Sequence, residues 1–511
     1  MLLAACMFCG VQAFCQEFVT DEIINDVKYE CYDNGEAVAA KWADFNVEDV
    51  IIPESIEVDG VSYTVTSVGD QAFRGCRMLY SVNLPATVKS IGYGAFEGCH
   101  CLEIINIPEG VEKIEPTTFQ ECLDLQEIEF PNSLKEIGAN AFGYCGSLLS
   151  IKMPENLEKI GSNAFSQCKL MNEITFNNKV SIGMSAFSLC KGLTSIDIPD
   201  GVTEIGDWAF EGCVYLANVH LPKGLTKIGD GMFCSCNSLV DINLPEDLTY
   251  IGGEAFRSCF YMESISIPDG VTEIGVYAFA ECSSLKEIKF PAGLQKLCYG
   301  AFRNCTMVET LNLPEGLKTI GGEAFFGCPA LTTLNLPESL ETIGYDSFCG
   351  ASVLQELVLP KNLKSISDYA FEACPEIKNV YSLNPVAPVA NEMEFGNMIF
   401  FDDPIYQNAT LYVPVGSTDS YKAQKGWKQF FNIVEDAKLG IANVMTDGAG
   451  NEISVVANNG KISVVGADGE TMQVVDMSGR EIYRGAAAAV SVPAGMYIVH
   501  VGNSTSKVAV Y

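Results

Sequence analysis

A phenylalanine recurs at nearly constant intervals through most of the chain, and this period constrains the fold more than any other feature. One complete repeat, Leu193–Tyr215, has the sequence LTSIDIPDGVTEIGDWAFEGCVY, and the template is L-x-x-I-x-L-P-x-x-L-x-x-I-G-x-x-A-F-x-x-C-x-x. A single repeat cannot bury its own apolar residues, so stacked repeats have to share one core. The period therefore predicts a solenoid in which each repeat is one rung. The recurring residues, called the ladder phenylalanines, are Phe73, Phe96, Phe119, Phe142, Phe165, Phe187, Phe210, Phe233, Phe256, Phe279, Phe302, Phe325, Phe348 and Phe371.

Within a rung, the apolar pattern predicts two extended segments and a turn. Ile196 and Ile198 alternate with polar residues, as in a strand, and Pro199 ends this segment because proline has no N–H donor. VTEIG is a second, shorter extended segment, and AFEGC is predicted to form a helical or 3₁₀ turn. The glycine of IG is replaced in three rungs, by Glu115, Cys298 and Ser367. We therefore interpret its position as extended, with glycine favoured where rungs approach closely.

One rung is shorter than the others. The ladder phenylalanines lie 23 residues apart, except that Phe165 and Phe187 are separated by 22. The sequence TFNNKVSIG in this rung lacks both the proline and one loop residue. Two interpretations are open at this point: a local kink or groove in the solenoid, or a deletion that the loop absorbs.

Thirteen of the 21 cysteines lie three residues after a ladder phenylalanine. Equivalent side chains on stacked rungs point in parallel, whereas a disulfide needs two Cβ atoms about 3.8 Å apart that face each other. Four ligands in a row cannot surround a tetrahedral zinc ion either. We therefore predict that these cysteines pack as small buried apolar residues. Local pairing of Cys234, Cys298 and Cys349 is left open. Representative members of the predicted structural ladder are Phe96, Cys99, Phe142, Cys145, Phe210, Cys213, Phe256, Cys259, Phe302, Cys305, Phe325 and Cys328.

The outward positions of the first extended segment form columns along the array. Stacked at about 4.8 Å, fourteen such strands would make a parallel sheet on the order of 65 Å long. Its outer face is predicted to be polar, acidic and poor in aromatic residues, which fits either a solvated surface or an extended protein-binding surface. The candidate binding face at its centre comprises Asp197, Asn218, His220, Asp241, Asn243, Ser264 and Ser266.

Charge and hydropathy exclude several classes of partner. The net charge is −34, and the acidic residues are concentrated in the repeats and their flanks, which argues against nucleic acids and anionic membranes. A basic protein partner is favoured instead, and we expect the protein to be a monomer. Residues 1–16 are predicted to be a signal peptide, and no later stretch is apolar enough to predict a transmembrane helix.

The sequence shows no catalytic constellation. It contains three histidines, His100, His220 and His500, and no metalloprotease, P-loop, nucleophile-elbow or dinucleotide-binding motif. His220 is predicted to point outward from its strand. We therefore predict a protein that is not an enzyme and needs no cofactor or metal.

The repeat template resembles the BspA-like, treponemal-type leucine-rich repeat over residues 65–381. This resemblance implies a mainly β, curved solenoid of fourteen rungs on a bacterial surface, and some members bind host matrix or plasma proteins. Residues 17–64 are predicted to form an N-terminal β cap. Residues 382–440 are predicted to form a C-terminal cap and linker with an aromatic plug of Tyr421, Trp427, Phe430 and Phe431.

Residues 441–511 change character and alternate apolar and polar residues around glycine-rich turns, which predicts an Ig-like β-sandwich. This segment resembles the C-terminal sorting domain of the type IX secretion system of Bacteroidetes. The resemblance rests on Val474–Asp476, Ser478–Arg480, Pro493–Gly495, Tyr497 and Lys507–Val510. It implies an export signal that is removed or anchored at the cell surface.

Two functions remain open at the level of sequence. The first is a secreted or outer-membrane surface adhesin that binds a host matrix protein or a neighbouring cell's surface protein through the strand face. The second is a polysaccharide-binding surface protein for nutrient capture. Because sugar platforms usually need exposed aromatic rings, and the outward columns lack them, the adhesin is favoured.

Overall fold

The computed structural model describes residues 16–42, 48–177, 179–391, 399–400, 404–436, 439, 443–446, 452–458, 461–465, 471–477, 479–486, 489–493, 495–501 and 504–510. The predicted signal peptide falls almost entirely outside these residues. The chain divides into two compact units, Met1–Leu193 and Thr194–Tyr511, called unit 1 and unit 2.

Unit 1 consists of short β-strands joined by tight turns. Its strands are β1 (Phe18–Ile24), β2 (Val27–Tyr32), β3 (Glu36–Trp42), β4 (Asp49–Ile51), β5 (Ser55–Val58), β6 (Val61–Val68), β7 (Ser81–Asn83), β8 (Ser90–Ile91), β9 (Ile104–Ile105), β10 (Lys113–Ile114), β11 (Glu136–Ile137), β12 (Ser150–Lys152), β13 (Lys159–Ile160), β14 (Glu173–Thr175) and β15 (Ser181–Ile182).

The strands of unit 1 form one long sheet and two short ones. The long sheet has the order β1-β2-β3-β6-β8-β10-β11-β13-β15, with β5 paired to β6. It is antiparallel within β1–β3 and between β5 and β6, and the other pairs from β3 onward are parallel. Because β6 also pairs with β8, which lies within the repeats, the N-terminal segment and the repeats share one hydrogen-bonded sheet. The short sheets are β4-β7-β9 and β12-β14.

Unit 2 is built from the same kind of rung. Its repeat strands are β16 (Ser195–Asp197), β17 (Asn218–His220), β18 (Lys227–Ile228), β19 (Tyr250–Ile251), β20 (Ser264–Ser266), β21 (Glu273–Ile274), β22 (Glu287–Lys289), β23 (Lys296–Leu297), β24 (Thr310–Asn312), β25 (Thr319–Ile320), β26 (Thr333–Asn335), β27 (Thr342–Ile343), β28 (Glu356–Leu359), β29 (Ser365–Ser367), β30 (Asn379–Ser382) and β31 (Val389–Asn391).

The rest of unit 2 closes the array and then forms a separate pair of sheets. The closing elements are α1 (Ile405–Asn408), β32 (Thr410–Val413), α2 (Thr418–Ala423) and β33 (Asn432–Glu435). The last strands are β34 (Asn443–Thr446), β35 (Glu452–Asn458), β36 (Lys461–Val465), β37 (Thr471–Asp476), β38 (Glu481–Ala486), β39 (Ala489–Ser491), β40 (Gly495–Val501) and β41 (Ser504–Val510).

In unit 2, the second extended segment of each rung again forms the longest parallel sheet, β18-β19-β21-β23-β25-β27-β29-β31. The first extended segments form shorter sheets, namely β16-β17, β20-β22, β24-β26 and β28-β30, and the last of these is extended by the closing strands β32 and β33. The mainly β solenoid predicted from the repeat is confirmed. Strand pairing does not stop at the predicted array boundary, because β31 and β32 lie beyond Tyr381 and still pair with repeat strands.

The turn around each ladder phenylalanine is not helical, so the predicted helical or 3₁₀ turn is wrong. In the first rung, φ is +55° at Gln71 and +76° at Gly75, and the equivalent residues of later rungs are also positive. A right-handed helix needs negative φ throughout. The alternation turns successive N–H groups in different directions: those of Gln71, Phe73 and Gly75 donate to carbonyls of the next rung at 2.7–2.8 Å. The segment therefore adds a third hydrogen-bonded connection between rungs.

The glycine of IG lies where adjacent rungs approach closely, as the sequence indicated. A Cβ at Gly138 would lie 2.5 Å from the backbone nitrogen of Pro116 in the preceding rung, and one at Gly275 would lie 2.5 Å from the backbone of Gly252. Neither residue has a positive φ, so the glycine is needed for space rather than for backbone conformation.

The short rung keeps its place in unit 1. Ser181 and Ile182 of β15 pair with Lys159 and Ile160 of β13 in the usual register. Asn177 stands where the template has proline, and its amide donates to the carbonyls of Pro154 and Leu157 in the preceding rung at 2.6 and 2.8 Å. The loop therefore absorbs the missing residue within unit 1.

The core of each unit is a column of stacked aromatic rings. Neighbouring ladder phenylalanines from Phe73 to Phe187 in unit 1 have ring centroids 5.1–5.5 Å apart and interplanar angles of at most 15°. In unit 2, the same stacking runs from Phe210 to Phe371 and continues to Phe400. The stacked rings pack each rung against the next and exclude water from the core between them.

The end of the array is closed by aromatic side chains, with one correction to the predicted plug. Tyr421, Trp427 and Phe430 are buried, and the indole N–H of Trp427 donates to the carbonyl of Pro388 at 2.8 Å. Phe431, in contrast, is 89% exposed. Because its backbone leads directly into β33, its side chain falls on the outer side of the closing segment.

The C-terminal segment contains two four-stranded antiparallel sheets, β34-β35-β36-β39 and β38-β37-β40-β41. Val455 and Ile462 of the first sheet and Met472, Val474 and Val499 of the second belong to one buried apolar cluster. The two sheets therefore pack face to face. The Ig-like assignment stays a prediction.

Candidate binding face

The candidate face lies entirely in unit 2, on the outward side of the first extended segments. Strands β16 and β17 pair in parallel, which places Asp197 opposite His220 and Ser195 opposite Asn218. Each of these side chains is exposed, while Ile196 between them is buried. This alternation follows from the pleat of a strand with one face in the core.

Ser264 and Ser266 are placed in the same way on β20, which pairs with β22. Both serines are exposed, and the intervening Ile265 is buried. The predicted outward positions are therefore surface positions in both paired segments.

Asp241 and Asn243 are exposed, but the segment that carries them is not a β-strand. The expected continuous sheet of about fourteen strands is therefore wrong for the first extended segments, which pair mainly in twos. The rungs remain stacked because the second segments and the phenylalanine turns already connect them. Segment 241–243 thus exposes its side chains without pairing to a β-strand on either side.

The electrostatic character of the face is acidic. Asp197 and Asp241 form no ion pair with any side chain in the described part of the chain, whereas Asp200 lies 3.0 Å from the Nζ of Lys223. The backbone N–H of Lys223 and then its ammonium group lower the pKa of Asp200. The unpaired carboxylates beside it give the face a negative potential.

A group of apolar side chains, absent from the predicted face, borders it. These residues, called the apolar edge, are Tyr215, Val240, Phe260 and Tyr261, with exposed fractions of 63%, 45%, 40% and 62%. Tyr215 precedes β17 by three residues, and Tyr261 precedes β20 by the same interval.

The apolar edge is held in register by backbone hydrogen bonds between rungs. The N–H of Ser238 donates to the carbonyl of Val214 at 3.1 Å, and the N–H of Tyr261 donates to the carbonyl of Asn237 at 3.2 Å. Tyr215 and Tyr261 therefore lie two rungs apart, roughly 10 Å, with the small Ser238 between them. The sequence contains a pattern that could have indicated the apolar edge. The fifth residue after the ladder phenylalanine is tyrosine and serine in alternate rungs, namely Tyr215, Ser238, Tyr261 and Ser284.

The ladder cysteines lie in the core rather than at the surface. In the described residues, the thiol of Cys145 donates to the carbonyl of Phe119 in the preceding rung at 3.1 Å, and that of Cys259 donates to Phe233 at 3.3 Å. Burial raises the pKa of Cys145 to about 12. A neutral thiol is a poor nucleophile and metal ligand, so these groups contribute packing and a weak hydrogen bond. The described cysteines, Cys234 and Cys298 included, carry thiols rather than disulfides.

Outside the apolar edge and the carboxylates of the candidate face, the described residues contain few groups suited to catalysis or metal binding. His220 is exposed on β17, and His500 on β40 makes a 2.8 Å hydrogen bond with the hydroxyl of Thr505. Asp346, Cys349 and Glu372 have potential ligand atoms within 4.8 Å of one another. Burial and then Glu372 raise the pKa of Asp346, while the nearby Arg303 opposes that shift. Arg303 itself is ion-paired with Glu323, outside this cluster.

The parallel rungs, the stacked core and the closing segments define the class of protein, a leucine-rich-repeat solenoid. Residues 46–172, 161–286 and 272–397 match the family described as BspA type leucine rich repeat region (6 copies). The chain belongs to the BspA-type leucine-rich-repeat family. Within the part of the chain that the structure describes, no helix has the length and apolar character needed to cross a membrane.

Solved structures of leucine-rich repeat proteins are similar to this chain, and one of them has a TM-score above 0.5. A leucine-rich repeat protein from Bacteroides ovatus ATCC 8483 is 31% identical, over 70% of this chain and 99% of that chain, with a TM-score of 0.60. A leucine-rich repeat protein from T. pallidum is 26% identical, over 52% of this chain and 91% of that chain, with a TM-score of 0.28. A leucine rich cell surface protein from Faecalibacterium prausnitzii A2-165 is 21% identical, over 82% and 96% of the two chains, with a TM-score of 0.38. The comparison with curated proteins found no match.

Proposed function

We propose that the protein is a non-catalytic adhesin that binds a basic protein partner through the candidate face and the apolar edge of unit 2. The observation that carries this proposal is the juxtaposition of exposed tyrosines with unpaired carboxylates on stacked rungs. Protein interfaces concentrate their binding energy in such aromatic anchors, and a polar rim supplies specificity.

The charge of the face favours a particular class of partner. Asp197 and Asp241 are exposed and form no ion pair within the described residues, and the whole chain carries a net charge of −34. A partner with lysine and arginine on its surface would be attracted over a distance of about 8 Å at physiological ionic strength. Host matrix proteins and surface proteins of neighbouring cells are the partners that the family resemblance implies.

The proposed location is the outer surface of a bacterial cell or the medium around it. This part of the proposal rests on the signal-like residues 1–16 and on the sorting-domain-like sequence of residues 441–511. A reporter enzyme with an established secretory signal peptide at its N-terminus and residues 441–511 at its C-terminus tests it, since export of this reporter by a bacterium with type IX secretion is expected. Retention of the fusion inside such cells would contradict the sorting role.

A second candidate function, polysaccharide binding, is favoured by one specific observation. Tyr215 and Tyr261 expose about three-fifths of their surface and stand two rungs apart with Ser238 between them. Aromatic rings with an exposed face are suited to stacking on sugar rings. The apolar edge thus supplies exposed aromatic rings, which the outward columns of the first extended segments lack.

The experiment that separates these functions uses the mature full chain on arrays of matrix proteins and of polysaccharides. The face variant changes Asp197, His220, Asp241 and Asn243 to alanine, and the edge variant is Tyr215→Ser/Tyr261→Ser. A matched control, Tyr93→Ser/Tyr144→Ser, removes two exposed tyrosines of unit 1 that are 43% and 44% exposed.

For an adhesin, both the face variant and the edge variant weaken protein binding by about tenfold or more, and the control does not. For a polysaccharide-binding protein, a glycan is bound, and the edge variant weakens its binding more than the face variant does. Binding that survives both variants would place the site elsewhere and would refute the proposal.

A further inference from the structure

The strand side of unit 1 contains an open seam between two rungs. Strand β9 pairs with β7 on one side only, and segment 126–129, one rung further, forms no strand. In paired rungs, the residue after the strand donates its N–H to the next rung, as from Met153 to Thr175 at 2.9 Å. Within the described residues 48–177, no such bond joins segment 103–107 to segment 126–129. A cleft of about 570 Å³ occupies the seam.

The floor of this cleft is apolar, and its position is fixed by the neighbouring rung. Ile105, Ile107 and Ile128 line it and are 7–8% exposed, while Ile104 at its margin is 57% exposed. The amide of Asn106 makes two hydrogen bonds of 2.8 Å with the backbone of Leu84. This lining residue is therefore tied to the rung behind it rather than to the rung across the seam.

The rim of the cleft carries negative charge without compensation. Glu103, Glu127 and Glu129 line it, and none of them forms an ion pair with a basic side chain in the described part of the chain. The hydrogen bond to Glu103 and then the charge of that carboxylate raise the pKa of the neighbouring Tyr80. The seam thus combines an apolar floor, a backbone without ladder hydrogen bonds from one rung to the other, and three carboxylates.

We propose that this cleft binds an arginine side chain from an extended basic segment of a partner protein. The guanidinium group has five N–H donors in one plane, which suits several carboxylates and carbonyls at a narrow seam, whereas lysine offers a single point of charge. The methylene stem of arginine packs on the isoleucine floor. The site lies in unit 1 and does not depend on the candidate face of unit 2.

The test measures binding of a fluorescein-labelled peptide of alternating arginine and glycine to the full chain by fluorescence anisotropy. Two further peptides replace arginine with lysine, which keeps the charge but not the guanidinium group, or with the neutral analogue citrulline. They show whether binding requires the guanidinium group or only a positive charge. The cleft variant is Glu127→Gln/Glu129→Gln. The matched control is Glu155→Gln/Glu173→Gln, which removes two exposed carboxylates that lie in the same unit outside the seam.

The arginine peptide is expected to bind more tightly than the lysine peptide, and the citrulline peptide is expected not to bind. The cleft variant should weaken arginine binding by about tenfold or more, because two charged hydrogen bonds are lost, and the control should change it by less than about twofold. Equal losses in both variants, or no binding by the wild type, would overturn the proposal. Because the variants that test the candidate face lie in unit 2, the two sites fail or succeed independently.

Discussion

Alkaline pH should destabilise this protein through its buried thiols. Burial raises the pKa values of Cys145, Cys190, Cys282 and Cys328 from an ordinary value of 9.0 to about 12. In the unfolded chain, the same thiols are exposed and titrate near 9.0. The folded state therefore favours the neutral, protonated thiol. Because the unfolded state loses these protons more readily, raising the pH favours the unfolded state.

The sign and the size of the change in unfolding free energy with pH follow from the linkage between proton binding and folding. A group whose pKa is raised by folding contributes its full stabilisation below the unfolded pKa and loses it as the pH rises toward the folded pKa. Each thiol therefore costs about 1.4 kcal/mol of unfolding free energy per pH unit above roughly pH 9, until roughly pH 12. At about pH 10, the four thiols together cost about 6 kcal/mol, which is comparable to the whole stability of many domains.

The assay is urea unfolding followed by circular dichroism under reducing, anaerobic conditions between about pH 8 and about pH 10. The wild type is compared with a variant in which Cys145, Cys190, Cys282 and Cys328 are alanine. The variant starts less stable but should lose less free energy as the pH rises. If both proteins lose stability with the same slope, buried thiol ionisation is not the cause, and the reasoning fails.

Three further predictions concern the core and the spacing of the rungs. Phe256→Ala should cost about 3–5 kcal/mol of unfolding free energy, against about 1 kcal/mol for Cys259→Ala, because the ring leaves a larger cavity in the stacked column; similar losses in urea unfolding would contradict the cavity argument. Gly138→Ala should destabilise by about 1–3 kcal/mol because its Cβ would lie 2.5 Å from Pro116, whereas Gly224→Ala, with open space around it, should change the melting temperature little. The ladder thiols should react with a maleimide only after denaturation, and rapid labelling of the native protein would show that they are not buried.

Much of the fold was predictable because one template is repeated. The interval between ladder phenylalanines, from Phe73 to Phe371, forces stacking, since no rung has a core of its own. The spacing role of the glycine in IG was also predictable, because a residue such as Cys298 can replace it only where the backbone is extended.

The turn geometry was not predictable from composition. The left-handed positions that flank each ladder phenylalanine hold glycine in some rungs, yet they hold Glu121, Tyr144 or Trp208 in others. Hydrogen bonds between rungs impose this conformation, and they override the local preference for negative φ. The repeat pattern alone therefore indicated a turn but not its backbone.

The candidate site was predictable only in part. Outward alternation correctly placed Asp197 and His220 on the surface, but it carried no information about which first segments would pair. Segment 241–243 follows the same alternation as its neighbours, yet it forms no strand. The apolar edge was missed because Tyr215 and Tyr261 lie on the corner before the strand, outside the columns that alternation selects.

The central claim is that unit 2 binds its partner through the candidate face and the apolar edge. Hydrogen–deuterium exchange of the full chain, with and without the protein identified on the array, tests it most directly. Binding should protect the backbone amides of residues 214–220, 237–244 and 260–266. Protection confined to the phenylalanine turns, or found only outside unit 2, would contradict the claim.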